Sequence, residues 1–183
     1  MKKFILAALA LFALTANAGD LGLGYNHGIA GSHSNSYKAA YNTSLLGLVD
    51  VGAELENEQA SGEGTVASLS TANVGTHFGV QGFVVKPYVE VGRALEQEAN
   101  ATLWGAGVKV SHKLCGFVDA EVGYRHREAF NHTDLLKEDR LSAALSTEGP
   151  FHTVVGVEFN DNIGRSYAES GNNTLGVFVK HSF

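Results

Sequence analysis

A few short stretches hold residue types that could do chemistry. "HSNS" at 33–36 sets His33 beside Ser34 and Ser36, the pairing in which a base activates a hydroxyl for acyl transfer. "HSF" at 181–183 offers His181 and Ser182 in the same way. "NHTD" at 131–134 supplies His132 and Asp134, one His and one Asp as in a hydrolytic Asp-His dyad, with no paired partner in view. His126 and His132 invite a metal, but their spacing matches no ligand motif. "GAG" at 105–107 sits in an alternating apolar stretch and reads as glycine packing in a strand, not as a phosphate loop. Each fragment is an isolated polar group. No catalytic, cofactor or metal residue is assigned, and the chain reads as a non-enzyme.

The question is then what the rest of the chain builds. Residues 1–18, "MKKFILAALALFALTANA", open with Lys2 and Lys3 and continue with an apolar run over 4–15. They end in small residues at the two positions a signal peptidase reads. This is a cleavable secretory signal, with Gly19 as the first mature residue. The run is too short for a spanning helix, which needs about 20 apolar residues. No cysteine follows the run, so lipoprotein processing is not expected.

The remaining 19–183 has one domain's length. Removing Lys2 and Lys3 lowers the basic count from 13 to 11 against 19 acidic residues, a net charge of −8 that disfavours nucleic acid. Cys115 is the only cysteine, so no internal disulfide can form. The mean hydropathy is −0.02, ordinary for a soluble protein, and the pattern must be read beneath that average.

The pattern is strand-like throughout. "NHTDLLKEDRLSAAL" is the best helix candidate, yet its Leu141, Ala143 and Leu145 also alternate. Apolar parity predicts ten strands: 20–30, 36–44, 47–57, 65–78, 82–94, 101–112, 116–128, 139–148, 151–160 and 172–183. The fourth is ambiguous. Val66, Ala72, Val74 and Phe78 compete with Ala67 and Leu69 for its outer face. Strands two and three share parity, so one long strand and a total of eight is the alternative. Short connections ("SLLG", "GVQG", "HKLCG", "GP") alternate with polar ones, several of them longer, such as "NEQASGEG" and "DNIGRSYAESGNN". Strands of about 10 residues joined in this way describe an outer-membrane barrel.

The charges test that expectation. If the apolar face meets lipid, charges within strands belong on the other face. Lys38, Asp50, Glu54, Glu56, Lys86, Glu90, Lys109, Asp119, Glu121, Arg125, Arg127, Arg140, Glu158 and Lys180 all take it, seven of each sign. A soluble sandwich also alternates, but it needs neither the alternation of turn length nor a terminal aromatic. Tyr25, Tyr37, Tyr124, Phe78, Phe83, Phe117, Phe151 and Phe183 fall near strand ends, as interfacial girdles require. His27, His33, His126 and His132 group with the long-loop end; His77, His112, His152 and His181 group with the short-turn end.

Through "ANA" at 16–18, "KPYVEVG" at 86–92 and "LGVFVKHSF" at 175–183, the chain resembles small bacterial outer-membrane β-barrels. The resemblance implies an all-β, closed, antiparallel up-and-down transmembrane barrel in the outer membrane of a Gram-negative-type cell. It also implies that Phe183 is a signal read by the barrel assembly machinery. His181 departs from the pattern, since an aromatic is more usual there. Enzymatic barrels exist, but lipid A deacylases use a His-x-Ser arrangement that "HSNS" does not match. Omptin proteases are longer and carry acidic pairs not seen here. The expected function is a porin-like or surface-antigen barrel with a charge-filled, closed lumen. It would have a structural or surface-interaction role through its longer loops, with outer-membrane lipid and a surface ligand at the long-loop end as partners. A narrow channel for small ions is the alternative. No cofactor is expected.

Overall fold

The computed structural model describes residues 19–30, 34–60, 65–96, 100–130, 137–165 and 173–183. Residues 1–18, expected from the sequence to be a secretory signal, lie outside them, as do His33, His132 and Asp134. Among the described residues, alternation of β-branched and aromatic residues with polar ones produces strands and no helix. We number ten barrel strands. β1 is Gly19–Ala30, β2 Ser34–Leu45, β3 Val49–Ala60 and β4 Thr65–Thr76, the last continued by Phe78–Val80. β5 is Phe83–Glu96, β6 Asn100–Cys115, β7 Val118–Ala129, β8 Lys137–Glu148, β9 Thr153–Arg165 and β10 Asn173–Ser182.

Each strand pairs antiparallel with its sequence neighbours, and β10 returns to pair with β1 from Asp20↔Ser182 to Ala30↔Asn173. The sheet is therefore closed. The Phe183 N–H extends this seam by donating to the Gly19 carbonyl at 3.0 Å. Closure leaves no unpaired edge, the condition for crossing a bilayer with strands.

The eight-strand alternative fails at Leu46 and Gly47. Their φ angles of 55° and 66° turn the chain, and β2 and β3 pair from Leu45↔Val49 back to Ser34↔Ala60. Gln81 and Gly82 turn the next hairpin in the same way, with φ of 50° and 86°. Positive φ at both central residues matches the right-handed twist of the flanking strands. Phe151 and His152, expected inside a strand, also have positive φ and belong to the turn before β9.

The interruption of β4 at His77 has a cause in β5. Gly75↔Tyr88 and Phe78↔Val85 keep one register, which sets Thr76 against Pro87. Proline has no N–H, so the ladder loses a bond there. The ambiguous face of β4 is resolved as well: Val74 and Phe78 point outward, whereas Leu69 points inward and is buried.

The outer surface is apolar. Leu23, Val89, Val91, Val122 and Val177 are each more than half exposed. Tyr25, Tyr37 and Tyr124 face out near the long-loop end, and Phe78, Phe83, Phe117, Phe151 and Phe183 near the short-turn end. The Tyr25 and Tyr37 ring centroids lie 5.3 Å apart. Two of these tyrosine hydroxyls have partners: Tyr25 donates to Asn35 Oδ1 at 2.8 Å, and Tyr124 to Asp139 Oδ1 at 2.6 Å. Tyrosines, with polar tips toward water, form one girdle, and phenylalanines form the other.

Candidate functional site: a charged lumen closed at one level

All fourteen predicted lumen charges lie on the inward parity of their strands. They separate into a dry belt and a wet vestibule.

The belt holds Lys38, Glu54, Glu56, Glu90, Arg125, Arg127 and Arg140, together with Glu138. Arg127, fully buried, donates from Nε to Glu90 Oε1 at 2.5 Å and from Nη2 to Glu90 Oε2 at 3.2 Å. Its Nη2 also reaches Glu54 Oε1 at 3.3 Å. Arg125 donates to Glu138 Oε1 at 2.7 Å and to Glu54 Oε1 at 3.2 Å. Arg140 Nε lies 2.6 Å from Glu138 Oε1, and its Nη2 is 3.5 Å from Glu56 Oε1. Asn162 Oδ1 accepts from Arg140 Nε at 2.8 Å. Lys38 Nζ completes the set, 3.0 Å from Glu54 Oε2. Four cations face four carboxylates. The fork of each guanidinium allows two-point contact that an ammonium could not make.

These ties cross the barrel. Arg125 and Arg127 stand on β7 and Glu54 and Glu56 on β3, strands separated by three others whichever way round the closed sheet is shorter. On the long-loop side of the belt, Leu69, Ala94, Leu103 and Ala129 form an inward apolar cluster. Leu103 has no exposed surface, nor has Glu138. Closure of the lumen is thus both ionic and apolar.

On the short-turn side the lumen opens. A cavity of about 630 Å³ runs from the Arg125 and Arg140 level to the rim at Ser44, His77 and Phe183. Asp50, Lys86, Lys109, Glu121, Glu158 and Lys180 line it. Lys109 Nζ is 3.6 Å from Glu121 Oε1, and His77 Nδ1 is 2.9 Å from Asp50 Oδ2. Lys180 Nζ sits 4.7 Å from the Phe178 ring centroid, a cation–π distance. Asp119 lies nearer the rim, opposite Lys113 in register.

Large inward side chains fit because their cross-strand partners are glycines. Tyr88 faces Gly107 and Phe178 faces Gly156, and a Cβ on either glycine would meet the ring.

Two buried inward carboxylates, one of them in the belt, fell outside the predicted set. Glu138 precedes the predicted start of its strand by one residue, and Glu58 follows the predicted end of its strand by one. Their parity was the available signal. Among the described residues five other charges take the outward face: Arg93, Glu128, Lys137, Asp139 and Asp161. All five are at the long-loop end, where Asp139 accepts from Tyr124 and lies 2.8 Å from His126 Nδ1. His126 also packs against Trp104 at 5.5 Å. These residues form an interfacial cluster. "HSF" is split by the strand, with His181 outward against Phe183 at 4.8 Å and Ser182 inward, bonded to Asp20 at 2.5 Å.

No protein-family profile matches the sequence, and no curated protein matches it. Solved structures do resemble the fold. A structure described as KdgM porin aligns with a TM-score of 0.52 at 11% identity, covering 88% of this chain and 99% of that one. The same porin in complex with disordered oligogalacturonate gives 0.51, again at 11% identity and with the same coverage. The β domain of the Bordetella autotransporter BrkA gives 0.50 at 11% identity, covering 91% and 99%. At such identities the likeness is one of architecture: the chain has the fold of a small outer-membrane β-barrel.

Proposed function

We propose that this chain is an exported, non-conducting barrel of the outer membrane that acts as a structural or surface-interaction protein through its longer connections. The observation that carries the reading is the complete burial of Arg127, Glu138 and Leu103 inside the lumen. A lumen whose middle side chains are dry offers no continuous water path. Its ionic groups are spent on one another rather than presented to a substrate, so no catalytic role is proposed. Residues 1–18 would direct export, Phe183 would be read by the assembly machinery, and lipid would meet the outward face. Segments 31–33, 61–64, 97–99, 131–136 and 166–172 would carry the surface contact.

The vestibule favours a second reading, a narrow channel for small ions, because it opens the lumen from the short-turn rim to the level of Arg125 and Arg140. Planar-bilayer recording of the refolded protein separates the two. The closed reading expects no resolved steps from the native chain, and steps from an Arg127→Ser/Leu103→Gly variant. Steps from the native chain would replace it with the channel reading. Fractionation tests location: the protein should be recovered with the outer membrane and extracted only by detergent.

A further inference from the structure

The vestibule contains a charge arrangement that the fold alone does not satisfy. Lys86 and Lys109 are direct cross-strand partners on one inner face. Like charges placed so are destabilising. Among the described residues, Lys109 has Glu121 as its ion-pair partner, and no carboxylate pairs with Lys86 or with Lys180. Lys86 and Lys180 both act on the same Glu121 from a longer range. Glu158 acts on Lys180 as well, and Asn160 donates to it at 3.4 Å. Lys38 is already held by Glu54 at 3.0 Å. Of the other carboxylates lining the cavity, Asp50 is held by His77 at 2.9 Å and Asp20 accepts from Ser182, so three ammonium groups share Glu121 and Glu158 in a cavity of about 630 Å³.

We infer that the short-turn vestibule is a binding site for a small oxyanion, seated between Lys86, Lys109 and Lys180. The ligand class is a solute bearing a phosphate or carboxylate group. Three flexible ammonium donors suit a compact multivalent anion, which would remove the Lys86–Lys109 repulsion on arrival. The belt behind the site makes it a dead end, entered and left from the short-turn side. Binding at equilibrium does not depend on whether the belt conducts, so this inference and the closed-lumen reading fail separately.

The test is calorimetric titration of the full barrel, refolded in detergent at fixed ionic strength, with inorganic phosphate and separately with succinate. Saturable binding of one or both is expected, and the pattern assigns the group. Lys86→Gln and Lys180→Gln should each weaken binding about tenfold through loss of a charged donor. Glu121→Gln should tighten it. Heat-modifiable migration on a gel confirms that each variant is folded, and outward-facing Lys137→Gln should bind as the native chain does. Absence of saturable binding to both anions would overturn the inference. So would unchanged affinity in folded Lys86→Gln and Lys180→Gln, or an equal loss in Lys137→Gln.

Discussion

Arg125 of β7 and Glu54 of β3 meet at 3.2 Å across the lumen, 71 residues apart in sequence. The contact ties opposite walls of the barrel, and Arg127 reaches the same carboxylate oxygen at 3.3 Å. A shared acceptor makes the belt one unit rather than a set of pairs. Removing one cation should then strand more than one carboxylate. Arg127→Ala leaves Glu90 without its two-point partner and should cost about 3–5 kcal/mol. Replacing both groups, as in Arg127→Met with Glu90→Leu, removes the stranded charge and should cost less than the single change. Urea unfolding in lipid vesicles measures both. A double variant worse than Arg127→Ala would mean that the pair itself, not the burial of a lone charge, dominates.

Packing against glycine gives an independent prediction. A Cβ on Gly107 would lie 2.5 Å from the Tyr88 ring and 2.8 Å from the Tyr124 carbonyl oxygen. Gly107→Ala should destabilise the barrel by about 1–3 kcal/mol, the range for overpacking. Adding Tyr88→Ala removes the ring contact but not the carbonyl one, so unfolding measurements should show only partial recovery. Full tolerance of Gly107→Ala would show that the lumen wall has more room than its inward rings indicate.

Much of this arrangement was legible in the residues, for a physical reason. A strand's side chains alternate with period two, so parity alone puts Glu54, Arg125 and Lys180 on one face and Val122 and Val177 on the other. Boundaries were less legible, because the outward apolar residue that marks a strand stops before the ladder does. That is why Glu138 and Glu58 escaped. The belt's long-range partners were not legible at all. Nothing local in "GYRHREA" says that Arg125 meets a residue on the far wall; closure and strand stagger decide it. Nor does local sequence separate Lys38, half-buried and tied to the belt through Glu54, from Lys86, which stands in the vestibule.

Phe183 joins two roles that can be taken apart. Its N–H bonds the Gly19 carbonyl at the seam, while its ring is exposed and packs edge-on against His181. Deleting Phe183 removes both; Phe183→Ala keeps the backbone bond and removes the ring. If assembly reads the ring, both variants should leave unassembled protein in cell fractions. Normal assembly of Phe183→Ala with failure of the deletion would instead assign the defect to the seam.

The two faces of β7 make the sharpest comparison. Val122 is 56% exposed on the outer surface, and its neighbour Glu121 points inward to Lys109 at 3.6 Å. Arginine at Val122 would put a charge into hydrocarbon. Near the bilayer midplane that costs roughly 2–4 kcal/mol, falling to about 0–1 near either interface. Glu121→Gln has a different effect. It stays in a wet cavity and keeps a polar group beside Lys109, so unfolding free energy in lipid should change by less than the Val122→Arg cost. The same substitution raises the local positive charge, because Lys86 and Lys180 also face that carboxylate. Its signature is therefore tighter anion binding with little loss of stability. A harmless Val122→Arg beside a strongly destabilising Glu121→Gln would reverse the two faces and remove the support for a lipid-facing outer surface.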